Sequence, residues 1–163
     1  MNQNAIDNET QEKLDAFIKQ EEGDSNDYKG LLAKFITLVA VGMSLFHLYA
    51  AYSIVPTQQL RVTHVGLVLF LVFLSFPISA RFKNRLMFWD VLFAIGSVAI
   101  AYYILSGGDD FSDRNTAPNS TDVMVGIGLI LLILEGVRRT NGMVLVTVTV
   151  LFLLYALFGN HLP

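Results

Sequence analysis

The side chains able to do chemistry in this 163-residue chain are few, and most of them stand at the edges of apolar runs. Glu135 is followed by Arg138 and Arg139 at the three- and four-residue spacings that share one helical face. An ionisable group inside a membrane often belongs to a proton or transport path. Here two cations lie within one turn and the acid is almost at the end of its apolar run, so the spacing predicts a structural ion pair. Basic groups are also favoured at a helix carboxyl end. Asp90 follows Trp89 at the start of another run, where a carboxylate suits a helix amino terminus and an indole suits the membrane interface. These two read as an anchor in preference to a proton relay. His47, within Leu45-Phe46-His47-Leu48-Tyr49, could titrate or bind a metal, but a hydrogen-bonded histidine packed between helices is the simpler reading. His64, beside Arg61 at the opening of the next run, reads as an interfacial residue.

Other chemistry is poorly supplied. The chain has no cysteine, which removes disulfides, thiolate metal sites and thiol nucleophiles together. No two histidines have metal-ligand spacing, no glycine-rich phosphate loop occurs, and the serines have no evident base nearby in sequence. The reading is therefore of a protein that is not an enzyme; a membrane enzyme using Glu135 or His47 is the weakest alternative. A formal charge of -3, with no basic stripe carrying interleaved aromatics, sets nucleic acid aside as a partner.

The elements that must position these groups are apolar and long. Hydrophobic residues make up 53% of the chain, charged residues only 15%, and the mean hydropathy is +0.52. Five runs, 35–55, 62–80, 86–106, 123–137 and 143–158, reach or approach the roughly 17 to 25 residues that cross the hydrocarbon of a bilayer. The fourth run is the shortest, about 22 Å of helix at about 1.5 Å per residue, and would need snorkelling flanks or a thinned bilayer. The stretch Val144-Leu145-Val146-Thr147-Val148-Thr149-Val150 is β-branched, yet an open strand in lipid would leave its backbone unpaired, so helix is expected. The fold class is thus all-α: an integral membrane helical bundle of about five transmembrane helices in 31–163, preceded by an arm in 1–30. Asn8 and Gln11 resemble a capping box, and Leu14, Phe17 and Ile18 share a face opposite Glu12, Lys19 and Glu22. The arm is read as a short amphipathic helix, with a frayed solvated tail as the alternative.

Orientation follows from Lys and Arg in the short joints. Arg81, Lys83 and Arg85 follow the second run, Arg138 and Arg139 the fourth, and Lys29 and Lys34 flank the first; the remaining joints hold only Arg61 and Arg114. The amino terminus is expected in the cytoplasm and the carboxyl terminus outside. The arm lacks the positive start and cleavage site of a secretory signal, so the first run is expected to remain as an anchor. The joint 107–122, with Asp109, Asp110, Asp113 and Asp122, becomes the largest external feature, able to meet a partner or a cation. Paired breaks at mid-span, which point to transporter binding sites, are missing, as is an inverted repeat.

Several landmarks also carry a family resemblance. Ser44-Leu45-Phe46-His47-Leu48-Tyr49, Arg61 and His64, Phe76-Pro77 and Trp89-Asp90 occur in order. They are followed by Asp122, Gly126, Leu134-Glu135-Gly136-Val137-Arg138-Arg139, Gly142 and the run from Tyr155 to Pro163. Over roughly residues 30 to 163 the chain resembles the amino-terminal region of tripartite ATP-independent periplasmic (TRAP) transporter permeases, most of all those of the TAXI subgroup. In that subgroup the permease is often one fused polypeptide, and this chain ends at Pro163. A separate small subunit and the first part of a fused permease both fit the resemblance.

The resemblance implies a place in a bacterial or archaeal cytoplasmic membrane, in a system for ion-driven uptake of a carboxylate. The partners it implies are a large TRAP permease subunit, a periplasmic TAXI-type solute-binding protein and membrane lipid. It puts the substrate and the coupling ion, sodium or proton, in the large subunit, with no cofactor in this chain. The small subunit it implies is a stationary scaffold, and Glu135, Arg138, Arg139, Trp89, Asp90, Arg61, His64, Arg81 and Arg85 are its structural or interface candidates, with Ala94, Ser97 and Ala101 as a small-residue contact face. The alternative class is a membrane-anchored assembly or sensor protein whose acidic outer loop binds a partner without transport.

Overall fold

A computed structural model describes residues 10, 11, 13, 14 and 25–159, and all regular structure among them is helical. The helices are α1 (Leu31–Tyr52), α2 (Thr57–Ser75), α3 (Phe88–Ser106), the short α4 (Gly108–Asp113), α5 (Ser120–Asn141) and α6 (Met143–Phe158). Four of them, α1, α2, α3 and α5, are long and apolar enough to cross a membrane; α6 is equally apolar but 16 residues long. The β-branched run 144–150 is helical, and the hydroxyls of Thr147 and Thr149 donate to the carbonyls of Met143 and Leu145, four residues back. A multi-pass helical membrane bundle fits these elements. Of the expected arm helix, Thr10, Gln11, Lys13 and Leu14 are helical, and the remainder lies outside the described residues.

Local chemistry moves the bounds of three of the sequence-derived runs. Hydropathy puts the second run at 62–80, whereas α2 begins at Thr57, directly after Pro56, and ends at Ser75. Phe76 is extended (φ -113°, ψ 123°), the conformation forced on a residue before proline, and Pro77 forbids continuation. Arg61 and His64 therefore lie inside the second and third turns of α2, not at its mouth. Hydropathy puts the fourth run at 123–137, but α5 covers 22 residues. Its start is set by a reciprocal cap: Asn119 Oδ1 accepts from the Asp122 N–H at 2.7 Å, and Asp122 Oδ2 accepts from the Asn119 N–H at 3.0 Å. At the other end the helix runs through both arginines to Gly142, whose φ of +77° turns the chain into α6. The helix is therefore longer than the 15-residue apolar run inside it, and its added turns carry Asp122 at one end and Arg138 and Arg139 at the other. The first helix likewise starts earlier than expected, at Leu31.

The centre of the bundle is the α2–α3 contact, with α5 laid against both, α1 against α2 and α6 against α5. Leu69, Phe73, Leu74 and Ala94 form its buried core. Lipid tails are as apolar as these side chains, so helix association here rests on close packing more than on escape from water. The closest approach is at Gly66, where an added Cβ would lie 2.7 Å from the Ala101 Cβ. Ala94 and Ser97, two turns and one turn before Ala101, are buried on the same side, and the Ser97 hydroxyl donates back to the Ala94 carbonyl at 2.8 Å. By contrast α1 and α6 bury no residue completely.

Candidate functional site

At the end of the bundle that holds the α2–α3 joint and the α5–α6 turn, the charged residues singled out from sequence converge. Asp90 stands in the first turn of α3, and its Oδ2 accepts from the Met87 N–H at 3.0 Å, closing the helix start. Its Oδ1 accepts from Arg139 Nη1 of α5 at 2.6 Å. Arg139 also donates from Nη1 to the carbonyl of Phe76 at 3.0 Å and from Nε to Glu135 Oε1 at 2.8 Å. One guanidinium thus ties α5 to the end of α2 and to the start of α3. Side chains of Arg139 and Asp90 are 0% and 1% exposed, so this pair lies wholly out of solvent.

Aromatic faces complete the enclosure. The Arg139 guanidinium lies 5.1 Å from the Phe73 ring centroid and 5.5 Å from that of Phe93, inside the range of cation–π attraction. Its Nη2 has no hydrogen-bond partner and is the buried side-chain nitrogen so placed among the described residues. Arg138 takes the wetter side: Nε donates to Glu135 Oε2 at 2.7 Å, and Nη2 donates to Glu135 Oε1 at 2.8 Å and to the Ile78 carbonyl at 3.0 Å. The four residues contain two carboxylates and two guanidinium groups and are neutral as a set. The local Glu135–arginine contacts expected from spacing are present, but the buried member is Arg139, and its partner across the bundle is Asp90.

The polypeptide before α1 closes over this end. Asn26 donates its N–H to the Ser75 carbonyl at 2.7 Å, and its Oδ1 accepts from the Asn84 N–H at 2.7 Å. Asn84 Oδ1 accepts in turn from the Asp27 N–H at 2.6 Å. Asn84 has a φ of +60°, a left-handed conformation that asparagine tolerates better than most side chains. Tyr28 is half-buried beneath this clasp, and burial, reinforced by the negative charge of Asp90, pushes its phenol pKa up. Trp89, Arg81 and Arg85 are exposed on the same end, where headgroups would meet them.

A second constellation lies between α1 and α2. His64 Nδ1 is 2.9 Å from His47 Nε2, and His47 Nδ1 is 2.7 Å from the Met43 carbonyl oxygen. A carbonyl only accepts, so His47 carries a proton on Nδ1; in the neutral ring its Nε2 then accepts from the Nδ1–H of His64. The expectation of a hydrogen-bonded packing histidine fits His47, while His64 has a specific partner in place of an undirected interfacial role. This link should contribute little: the coupling between His47 and His64 is expected to be about 0.6 kcal/mol and no more than about 1.7 kcal/mol. A double-mutant cycle of His64→Leu with His47→Leu in a detergent unfolding assay checks this, and a coupling near zero would contradict it.

At the opposite end, Asp122 gathers the 107–119 joint. Its Oδ1 accepts from the Tyr103 hydroxyl at 2.9 Å, and Arg114 Nε lies 3.2 Å from its Oδ2. That hydrogen bond holds the Arg114 guanidinium above its ordinary pKa. Ser112 on α4 donates its hydroxyl to the Gln58 carbonyl oxygen on α2, so the joint is fastened to two helices. Asp109, Asp110 and Asp113 remain exposed. No group of three or more metal-ligating side chains occurs among the described residues.

Sequence reasoning found Glu135, Arg138, Arg139 and Asp90 but placed the acid and the two basic groups in one local unit and Asp90 in another. The link between them spans 49 residues and left no local spacing to read. The only sequence signal was the coincidence of rare charges at ends of runs that a bundle brings to the same side. No known protein family, no curated protein and no solved structure matches this chain.

Proposed function

We propose that this chain is the small scaffold subunit, or the corresponding amino-terminal region, of a TAXI-type TRAP transporter permease. In this reading five helices cross a cytoplasmic membrane with the amino terminus inside and the carboxyl terminus outside. The large subunit carries a carboxylate inward on a sodium or proton gradient, and a periplasmic binding protein delivers it. The observation that carries the reading is the use of the span-end charges. Asp90, Glu135, Arg138 and Arg139 are engaged with one another and with backbone carbonyls, and they tie α5 to α2 and α3. A stationary part needs fixed helix-to-helix connections of this kind, whereas a transport site needs polar groups open to a ligand. Glu135, Arg138 and Arg139 also belong to the strongest block of the resemblance, the landmarks from Asp122 to Pro163. The basic side chains gathered at the Asp90–Arg139 end support its cytoplasmic placement. The apolar outer faces of α1 and α6 offer surface for lipid and for the large subunit.

The test is affinity purification of the full chain from its native membrane in mild detergent, with mass spectrometry of what accompanies it. A large multispan permease in about equal amount, or covalent continuation into one, is the expected result, together with loss of carboxylate uptake when the chain is deleted. Glu135→Ala is expected to lower the yield of that complex more than it changes solute affinity. An unchanged yield with a shifted coupling ratio would restore the proton-path reading of Glu135. A second reading, a membrane-anchored assembly or sensor protein, is favoured only by the exposed Asp109, Asp110 and Asp113 on α4. Recovery of the chain alone, with uptake intact in its absence, would replace the first reading with the second.

A further inference from the structure

On the face where α2, α3 and α5 meet, two hollows join into one crevice that the charge cluster does not use. The inner hollow, about 160 Å³, is walled by Val65, Ile100, Ala101 and Ile133. The outer one, about 460 Å³, opens beside α4 and carries Gln58, Ser112 and Asp122. Arg61, Val62, Ile104 and Leu129 line both, so an apolar trough continues directly from a polar mouth. The polar groups of that mouth are unequally satisfied. Asp122 is held by Tyr103, Arg114 and the Asn119 N–H, and the Gln58 carbonyl accepts from Ser112. Arg61 is exposed, and among the described residues nothing pairs with it or accepts from it. It is four residues from the start of α2, about 6 Å along the axis at about 1.5 Å per residue. That depth suits the boundary between headgroups and hydrocarbon in a membrane that α2 crosses.

We propose that this crevice seats a glycerophospholipid with an anionic headgroup. Its phosphate accepts from the Arg61 guanidinium and the Gln58 amide, and one acyl chain lies in the trough between α2, α3 and α5. Charge complementarity selects the ligand. A planar guanidinium without a carboxylate is matched by phosphate oxygens, and the negative charge of Asp122 is already compensated by Arg114. The continuous apolar trough selects an amphiphile over a free phosphate, which would occupy the mouth alone. This inference does not depend on the stator reading, since the crevice belongs wholly to this chain.

The experiment is native mass spectrometry of the full chain, purified in detergent, stripped of lipid and then equilibrated with mixed micelles. The micelles contain equal amounts of dioleoylphosphatidylglycerol and dioleoylphosphatidylcholine. The wild type is expected to retain phosphatidylglycerol preferentially. Arg61→Gln should lower that retention about tenfold and remove the preference, and Arg61→Lys should keep part of it. Leu129→Phe, which fills the junction of the two hollows, should lower retention of both lipids, while added glycerol 3-phosphate should displace neither. Unfolding midpoints of the two Arg61 variants equal to wild type would show that the loss is local. Equal retention of the two lipids by the wild type would overturn the proposal, as would undiminished phosphatidylglycerol retention by Arg61→Gln. Displacement by glycerol 3-phosphate would reduce it to a phosphate site. Crosslinking of position 129 to another protein in the native membrane, with lipid absent, would assign the crevice to a partner helix and overturn it equally.

Discussion

Arg139→Ala is expected to destabilise the bundle by about 3–5 kcal/mol, because removing one member of a buried ion pair leaves the other charged and unpaired. Asp90, 1% exposed, would keep only its bond to the Met87 N–H, and the carbonyl of Phe76 would lose a donor. The same change empties the space between the rings of Phe73 and Phe93. Arg139→Lys should recover only part of the loss, since an ammonium is a compact charge and lacks the planar fork that reaches Glu135, Asp90 and Phe76 together. Unfolding of the full chain in detergent, followed by circular dichroism, supplies the measurement. The deciding variant is the double replacement Asp90→Asn with Arg139→Met, which removes both charges and refills the volume. It should be distinctly more stable than Arg139→Ala. A double variant as unstable as the sum of its single changes would show that the pair contributes nothing through mutual neutralisation. Glu135→Ala should cost less than Arg139→Ala, since Glu135 is 22% exposed at its side chain and solvent can compensate.

Gly66→Ala should separate α2 from α3 at a cost of about 1–3 kcal/mol, the usual penalty for adding a methyl group to a filled contact. The new Cβ would meet the Ala101 Cβ at 2.7 Å, and that atom is fixed to the backbone of α3, so relief requires moving a helix. Gly136 provides the internal comparison. An added Cβ there would meet Leu69 Cδ2 at 3.1 Å, the free end of a side chain that can rotate away. Gly136→Ala is therefore expected to be milder in the same unfolding assay. Gly66→Ala combined with Ala101→Gly should regain most of the lost stability, because the second change vacates the volume that the first requires. Equal effects at Gly66 and Gly136, or no rescue, would remove Gly66 as the determinant of the α2–α3 distance.

How far the sequence could be read depended on the range of the interaction concerned. Helical class and the approximate position of each apolar run followed from hydropathy and from the cost of open backbone in lipid, which is why 143–158 was read as helix against its β-branching. Boundaries failed where a local signal competed with hydropathy. Pro56 and Pro77 shift α2 five residues toward the amino terminus relative to its apolar run, and the Asn119–Asp122 cap extends α5 beyond the first apolar residue. Contacts three or four residues apart, such as Glu135 with Arg138, were visible because helix geometry dictates them. The pairings of Asp90 with Arg139, His47 with His64 and Asn26 with Asn84 join different elements, and one chain in isolation carries no spacing that announces them. The small-residue face of α3 was readable as a pattern, but Gly66 on α2, which gives that face its close neighbour, was not singled out.

The distribution of charge between α3 and α5 bears on the order in which the chain acquires its shape. A ribosome makes Asp90 first and Arg139 49 residues later, so α3 exists with a solitary anion before its cation has been synthesised. The last turns of the late helix carry Glu135, Arg138 and Arg139, one positive charge in excess at that end, and the early helix carries a single negative charge in its first turn. Each half is thus an unsatisfied monopole until the two meet, and both charges lie at the same edge of the bundle only when α5 is threaded in the correct direction. Inversion of that helix would leave the two monopoles at opposite edges of the bilayer. The Asp90–Arg139 contact therefore forms only with α5 running in the direction seen here, whereas apolar surfaces alone would accept either direction alike.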